Sequence, residues 1–251
     1  MTDLTGKTAI VTGSARGIGK AIALRFASLG ANIVVNYVSD PAVAEATVAD
    51  VKKFGVEAIA VRADVSALTD IERMFSEALA RYSSIDIVVV NAGVEAVGIP
   101  LIDVTEAQFD RLYAINTKGA FFTLQAAARH VVDHGRIIYI GSTTSELPVK
   151  GVSLYGSSKI GPRYVTQVLA QELAYRGVAV NAILPTAIEG AGIFTDYNPD
   201  DPLRKMVAGA NRIGSRMGTV ADVADAAEYF ASDLAAWVSG QTLVVSGGEP
   251  Q

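Results

Sequence analysis

The sequence lacks several residues that enzymes commonly use for catalysis. Among its 251 residues there is no cysteine, and the only histidines are His130 and His134. Without cysteine the chain has neither disulfides nor a thiolate nucleophile. Two histidines are too few for a typical zinc site and do not suggest a Ser-His-Asp triad of the usual kind. These absences argue against metalloenzyme and hydrolase functions, and we expect no metal site.

Long apolar runs and an excess of positive charge are also missing. No segment approaches the ~18 uninterrupted apolar residues of a membrane-spanning helix. Residues 1–7 lack the basic region and apolar stretch of a signal peptide. The net charge of −5 and the isoelectric point near 5.1 argue against nucleic acid, which requires a basic surface. We expect a soluble, cytoplasmic protein that binds neither nucleic acid nor membrane.

The chain does have enough apolar residues for a large core, with 50% hydrophobic content and a mean hydropathy of +0.32. Short, continuously apolar runs alternate with longer amphipathic segments, which predicts a parallel sheet covered by helices on both faces. No repeat or linker divides the chain, so we expect one doubly wound, Rossmann-type α/β domain over residues 1–251. Seven candidate strands span residues 8–11, 32–35, 58–61, 85–90, 136–140, 179–183 and 242–245.

A glycine-rich turn follows the first candidate strand. Gly13, Gly17 and Gly19 have the spacing Gly-x-x-x-Gly-x-Gly. Glycines at a strand-to-helix turn allow a tight bend and let a pyrophosphate approach the N-terminus of the next helix, here near Ile18. An ordinary glycine-rich turn is the alternative, but the position directly after the first strand favours dinucleotide binding.

Tyr155 and Lys159 lie four residues apart in a predicted helix. Residues at this spacing share one helix face, so the phenol and the ammonium can point at the same ligand. A phenol has an unperturbed pKa of ~10, and a neighbouring positive charge should lower it. Tyr155 could then exchange a proton with a carbonyl or alcohol oxygen, although the same spacing in an arbitrary helix usually marks an exposed polar face.

Together these motifs resemble the classical short-chain dehydrogenase/reductase family, including its 3-oxoacyl-carrier-protein reductase-like members. The glycine turn, Asn91-Ala92-Gly93, Asn116, Ser142 and the Tyr155/Lys159 pair follow the family order over nearly the whole chain. The resemblance implies an NAD(P)(H)-dependent oxidoreductase that interconverts a ketone and a secondary alcohol. It also implies that the family's carboxyl-terminal strand and long helices pair subunits into a homotetramer, with a dimer as the alternative.

The resemblance assigns a role to each of four catalytic residues. Ser142 would hydrogen-bond the substrate oxygen, while Tyr155 would act as general acid/base. Lys159 would bridge the nicotinamide ribose and the phenol. Asn116 would hold a helix irregularity that links Lys159 to solvent through a proton relay.

The resemblance also places the cofactor along the carboxyl ends of the strands, with Asp64 and Val65 against the adenine. Asp64 could equally cap the helix that follows it. The implied cofactor-binding residues are Gly13, Ser14, Arg16, Gly17, Ile18, Gly19, Tyr37, Ser39, Asp64, Val65, Asn91, Ala92, Gly93, Tyr155, Lys159, Pro185 and Ile188.

The end of the second strand favours NADP(H). Tyr37 occupies the position at which an NAD enzyme has an acid for the ribose 2′-hydroxyl. No carboxylate there would repel a 2′-phosphate, and Arg16 could pair with that phosphate while Ser39 adds a hydroxyl. NAD(H) is possible, because Asp40 could fold back as a substitute acid and Arg16 could be a solvated surface residue.

Substrate selection is left open between a 3-oxoacyl thioester, a polyhydroxy-aromatic ketone and another small carbonyl compound. We expect a lid over residues 186–215. An acyl carrier protein would need a basic rim, to which Arg129 and Arg163 could contribute, although surface arginines are usually only solvated. The predicted pocket residues are Glu146, Leu147, Val149, Ile188, Ile193, Phe194 and Tyr197.

Two positions depart from the family pattern. Thr186 follows Pro185 where the family commonly has glycine, which adds a side chain close to the expected nicotinamide. Pro162 falls inside the predicted catalytic helix, where it removes a hydrogen bond and can kink the helix. The alternative function is a catalytically silent NADP(H)-binding sensor or interaction protein on the same fold.

Overall fold

A seven-stranded parallel sheet forms the centre of the molecule in the computed structural model. The structure describes residues 2–196, 198, 200, 204, 205, 207 and 212–248. The sheet order is β3-β2-β1-β4-β5-β6-β9, and β7 pairs with β8 in a separate two-stranded ribbon. This architecture confirms the predicted doubly wound parallel sheet. The strands are β1 Thr8–Val11, β2 Asn32–Tyr37, β3 Ala58–Arg62, β4 Ile87–Val90, β5 Arg136–Ile140, β6 Ala179–Pro185, β7 Ile188–Glu189, β8 Gly218–Thr219 and β9 Thr242–Val245.

Helices cover both faces of the sheet. A π-helical segment, Ala114–Gly119, joins α4 to α5. No helix within the described ranges is long and apolar enough to cross a membrane. The helices are α1 Gly17–Ser28, α2 Pro41–Lys52, α3 Leu68–Tyr82, α4 Glu106–Tyr113, α5 Ala120–His130, α6 Ser153–Glu172 and α7 Val220–Ala231.

Each face of the sheet has its own apolar core. On one face α1, α2 and α7 contribute Phe26, Val48 and Phe230. On the other face α3, α5 and α6 pack against strand residues that include Tyr139. Successive strand residues point to opposite faces, so the continuously apolar strands supply both cores, as Ile10 and its neighbours in β1 do.

The strand order places the functional residues at one edge of the sheet. β1 is followed by β2 and β3 on one side, whereas β4, β5 and β6 lie on the other. In an open α/β sheet, the crevice at such a reversal lies outside the carboxyl ends of the strands and is the usual ligand site. The segments after β1, β4, β5 and β6 all lead into this crevice.

Helix α6 continues past Pro162 to Glu172. Proline has no N–H to donate to the carbonyl of Ser158, one turn earlier. The hydroxyl of Thr117, in the π-helical segment, instead donates to that carbonyl at 2.9 Å. The helix therefore tolerates Pro162 because a neighbouring segment replaces the missing donor.

Candidate active site

The glycine turn between β1 and α1 depends on close packing against the end of β4. Gly13 and Gly17 have positive φ angles of 63° and 58°. A Cβ at Gly19 would lie 2.5 Å from the Gly13 carbonyl oxygen and 2.6 Å from Asn91 Nδ2. These positions require glycine for the tight bend and the close approach that the spacing predicted.

Thr12 ties the same turn to the segment after β4. Its hydroxyl accepts hydrogen bonds from the backbone N–H groups of Asn91 at 2.9 Å and Ala92 at 3.0 Å. The Asn91 side chain in turn donates to the Thr12 carbonyl at 2.8 Å. Reciprocal bonds therefore fix Asn91-Ala92-Gly93 beside the glycine turn.

Asn36 is a buried organiser that the sequence reasoning missed. Its carboxamide oxygen accepts from the N–H of Gly13 at 2.9 Å, and its NH₂ donates to the carbonyl of Ala63 at 2.9 Å. A buried amide must find such partners. The available signal was an asparagine inside the otherwise apolar strand β2.

The N-terminus of α1 is suited to an anion. Its N-cap residue, Arg16, has extended backbone and makes no side-chain capping bond, and the first turn contains no acidic residue. The first N–H groups of a helix have no intrahelical partners, and the helix dipole favours negative charge there. This donor set fits the pyrophosphate of a dinucleotide.

The segment after β2 ends at Asp40, which caps α2. Asp40 caps α2, with one carboxylate oxygen accepting from two backbone N–H groups at 3.0 and 3.2 Å. Capping uses one carboxylate oxygen, and the alternative role of Asp40 as a ribose-binding acid stays a prediction. Arg62, which the sequence reasoning missed, donates to the carbonyl of Val38 at 3.0 Å and adds a cation beside Tyr37 and Ser39.

Asp64 stabilises the turn before α3. One carboxylate oxygen accepts from the N–H of Ser66 at 2.9 Å and from its hydroxyl at 2.7 Å. The N-cap residue of α3 is Ala67, so Asp64 supports the approach to the helix rather than capping it directly. Adjacent Val65 is buried, and its contact with the adenine stays a prediction.

Ser142 and Tyr155 come together although they belong to different elements. Ser142 follows β5, Tyr155 lies in the first turn of α6, and both side chains line the same cavity. The Ser142 oxygen accepts from the N–H and the hydroxyl of Thr144 at 3.3 and 2.9 Å. Because a hydroxyl has one proton to give, these bonds leave the Ser142 proton free to be donated. Thr144 is a positioning residue for Ser142. The only sequence signal for it was the run of hydroxyl residues after β5.

Gly156 allows this approach. A Cβ at this position would lie 2.5 Å from the carbonyl oxygen of Thr144. The glycine immediately after Tyr155 therefore lets α6 pack directly against the segment that carries Ser142.

Lys159 lies deep in the crevice, with 4% of its surface exposed. Its ammonium is 3.4 Å from the carbonyl oxygen of Ile140 and 5.8 Å from the centre of the Tyr155 ring. A Cβ on Gly93 would stand 3.0 Å from this ammonium. Lys159 therefore lies between the catalytic tyrosine and the segment predicted to contact the cofactor.

Asn116 occupies the centre of the π-helical segment and is fully buried. Its side chain accepts from the N–H of Val94 and donates to the carbonyl of Val94, each at 2.9 Å. It also donates to the Ser158 hydroxyl at 3.1 Å. Asn116 thus links the segment after β4 to α6, and the structure brings all four predicted catalytic residues into one region.

Burial dominates the proton affinities in the site. It raises the pKa of Tyr155, with a further increase from the charge of Glu95 and a smaller opposing effect of the Ser142 hydrogen bond. Burial lowers the pKa of Lys159 to about 8, although Glu95 opposes this. The expectation that Lys159 would lower the phenol pKa is therefore not met in the protein alone. Tyr155 holds its proton at neutral pH, the form required to donate to a carbonyl oxygen.

A cavity of about 220 Å³ opens beside Ser142 and Tyr155. Five of the predicted pocket residues line it, namely Leu147, Val149, Ile188, Ile193 and Phe194. Pro185 and Thr186 also line it, and the Thr186 hydroxyl accepts from Arg212 at 3.4 Å. Tyr197 and part of the predicted lid at 186–215 lie outside the described residues.

The predicted basic rim does not form from Arg129 and Arg163. Arg163 makes an ion pair with Glu146, which does not line the cavity. Arg129 lies in the last turn of α5, just before β5 begins, and is therefore at the opposite edge of the sheet. The two arginines do not face one common surface at the cavity.

The doubly wound sheet, the anion-binding turn and the Ser142, Tyr155 and Lys159 group define a dinucleotide-dependent oxidoreductase. A family model described as Enoyl-(Acyl carrier protein) reductase matches residues 13–249. Short chain dehydrogenase mdpC of Emericella nidulans is 38% identical over 98% of this chain and 96% of its own length. Versicolorin reductase 1 of Dothistroma septosporum is 37% identical over the same shares. The chain belongs to the short-chain dehydrogenase/reductase family and is an oxidoreductase that acts on CH–OH groups.

Solved structures agree with this assignment. The reductase LugOII, described as promiscuous and as catalysing keto-reduction at C1 in lugdunomycin biosynthesis, has a TM-score of 0.89 and 36% identity, covering 98% of this chain and 99% of its own. A short-chain dehydrogenase of Burkholderia cenocepacia in complex with NADP has a TM-score of 0.89 and 32% identity, covering 98% of each chain. A nicotinamide cofactor is therefore part of this enzyme's chemistry.

Proposed function

We propose that this enzyme uses NADPH to reduce the ketone of a hydroxylated aromatic compound to a secondary alcohol. The observation that carries the proposal is the pair of hydroxyls, Ser142 and Tyr155, which line one cavity. The other walls are largely apolar and include Leu147, Ile193 and Phe194. Such walls suit a flat, mostly apolar substrate whose carbonyl oxygen meets the two hydroxyls.

The chain's own residues handle the proton and the carbonyl oxygen. Bound NADPH supplies a hydride to the carbonyl carbon. Ser142 donates a hydrogen bond that polarises the carbonyl, because Thr144 occupies its acceptor side. Tyr155 donates its proton to the oxygen as negative charge develops there. Lys159 and Asn116 keep the phenol and the cofactor-side segment in position. The product is the neutral alcohol.

The preference for NADPH rests on charge. Tyr37 stands at the position where an acid would meet the ribose, and Asp40 uses one carboxylate oxygen to cap α2. Arg16 is exposed at the start of α1, and Arg62 adds a second positive charge beside Val38. Charge-assisted bonds from arginine to phosphate are among the stronger hydrogen bonds in proteins.

The activities named for relatives favour the reduction of a ketone. Versicolorin reductase 1 and the keto-reducing LugOII are similar to this chain over almost its whole length. A carrier-bound thioester would bring an acidic protein to the site, and Arg129 and Arg163 do not provide a rim for it. The homotetramer stays a prediction.

The proposal is tested by following NADPH and NADH oxidation with hydroxylated aryl ketones, quinones and 3-oxoacyl thioesters. Tyr155→Phe should lower kcat by about 100-fold or more, because general acid catalysis contributes that much, and should leave NADPH affinity nearly intact. Tyr164→Phe is the matched control, since Tyr164 lies on the same helix but is 65% exposed. Equal activity of Tyr155→Phe and the wild type would contradict the proton-transfer role. NADPH binding without turnover of any carbonyl would instead support the silent sensor.

A further inference from the structure

Glu95 is an exposed carboxylate in the wall of the cavity, and the proposed reduction does not use it. It follows β4, two residues after Gly93, and lines the cavity together with Ser142 and Tyr155. Parallel strands end at the same edge of the sheet, so a charged residue at this position points to ligand recognition.

The carboxylate also contacts the segment that covers the cavity. Its Oε2 accepts from the N–H of Ile193 at 2.9 Å. Gly192 has a φ of 55°, and a Cβ there would collide with both Glu95 oxygens. This covering segment therefore lies directly on the carboxylate. Because an ionised carboxylate can accept about four hydrogen bonds, the bond from Ile193 leaves acceptor capacity for a ligand.

The charge of Glu95 reaches the reacting groups. It raises the pKa of both Tyr155 and Lys159. Among the described residues of the cavity wall, the other charged one is Arg212, which donates to the Thr186 hydroxyl after β6. The negative charge of Glu95 thus lies on the β4 side of the cavity, next to the covering segment, and the positive charge of Arg212 lies on the β6 side.

We propose that Glu95 determines substrate specificity by accepting a hydrogen bond from a hydroxyl group of the ketone substrate and by disfavouring ketones that carry a carboxylate. This inference rests on the proposed ketone reduction and narrows its substrate class. A hydroxyl–carboxylate bond is charge-assisted and favours a phenol or alcohol. A substrate carboxylate near Glu95 is repelled by the like charge, and it brings no hydrogen-bond donor for Glu95.

The test compares derivatives of the best ketone from the panel. Each derivative carries hydrogen, hydroxyl or carboxylate at one ring position, and each free position is substituted in turn. The wild type, Glu95→Gln, Glu95→Ala and the control Glu172→Gln are assayed for kcat and KM with each derivative. Glutamine keeps an oxygen for the Ile193 N–H but removes the charge. Glu172 is exposed at the far end of α6.

At the position that faces Glu95, we expect Glu95→Gln to lower the hydroxyl-to-carboxylate ratio of kcat/KM by about tenfold, the change that 1.4 kcal/mol produces. The change should appear mainly in KM, and Glu172→Gln should keep the wild-type ratio. A wild-type ratio in Glu95→Gln at every position, or an equal loss with all three derivatives, would overturn the inference while ketone reduction stands. If none of the ketones in the panel supports NADPH oxidation by the wild type, the proposed function fails, and the inference fails with it.

Discussion

The bond from Thr117 to the Ser158 carbonyl should become dispensable when Pro162 is replaced. The Ser158 side of α6 is buried, and proline removes the backbone N–H that would normally satisfy this carbonyl. Thr117→Val keeps the side-chain shape but deletes the hydroxyl, which leaves the carbonyl without that donor. An unsatisfied buried polar group costs ~1–3 kcal/mol, so we expect a loss of about 1.5 kcal/mol in the free energy of unfolding.

The same substitution should cost far less in a Pro162→Ala background. Alanine restores an N–H at the position from which a helix bonds the carbonyl four residues earlier. Thr117→Val should then cost about 0.5 kcal/mol, which gives a coupling of about 1 kcal/mol between the two sites.

Equilibrium urea unfolding, followed by circular dichroism at one protein concentration, measures all four proteins of this cycle. For a chain of this length, the loss in Thr117→Val corresponds to a Tm decrease of roughly 3–6 °C. Thr117→Ser is the control, because serine keeps the donor and should stay near wild type. Equal costs of Thr117→Val in both backgrounds would refute the replacement of the backbone bond by the threonine hydroxyl.

Three further predictions concern the cofactor side of the site. Gly93→Ala should lower kcat by about tenfold or more. The new Cβ would lie 3.0 Å from Lys159 Nζ and 3.2 Å from Asn116 Oδ1. Steady-state kinetics that match the wild type would contradict this crowding. Arg16→Ala should raise the KM for NADPH by about tenfold and change the KM for NADH by less than about twofold, since only NADPH makes the charge-assisted contact. An equal increase in both KM values would show that Arg16 does not determine cofactor specificity. Burial lowers the pKa of Lys159 from 10.5 to about 8, so the unfolded state binds more protons between these values. The unfolding free energy should then rise by on the order of 3 kcal/mol across that pH window. Lys159→Met should lose this rise in urea titrations of the cofactor-free protein, and an unchanged rise would assign it to another group.

Much of the fold could be predicted because its signals are local. Each strand of the main sheet has a largely apolar sequence, and both faces of such a strand must be buried. The Gly13, Gly17 and Gly19 spacing marked the bend at the end of β1, since only glycine tolerates those backbone angles and approaches. Motif order along the chain was enough to indicate the family, which the comparisons then confirmed.

The site was only partly predictable, because its remaining features depend on contacts between distant residues. Asn36 acts through Gly13, a distant partner that no local pattern identifies. Arg163 forms an ion pair with Glu146, which lies on a different element. The direction of the Tyr155 pKa shift also required the folded structure, because it comes from burial and from the charge of Glu95.

The sequence by itself thus determined the sheet, the glycine turn and the identities of Ser142, Tyr155 and Lys159, since apolar runs and motif spacing are properties of short segments. Only the tertiary structure decided which groups surround those residues. It placed Glu95 in the cavity wall beside Tyr155, and it satisfied the carbonyl that Pro162 leaves without a backbone donor. Burial, charge and hydrogen-bond satisfaction depend on which distant segments meet, and this is settled only when the chain is folded.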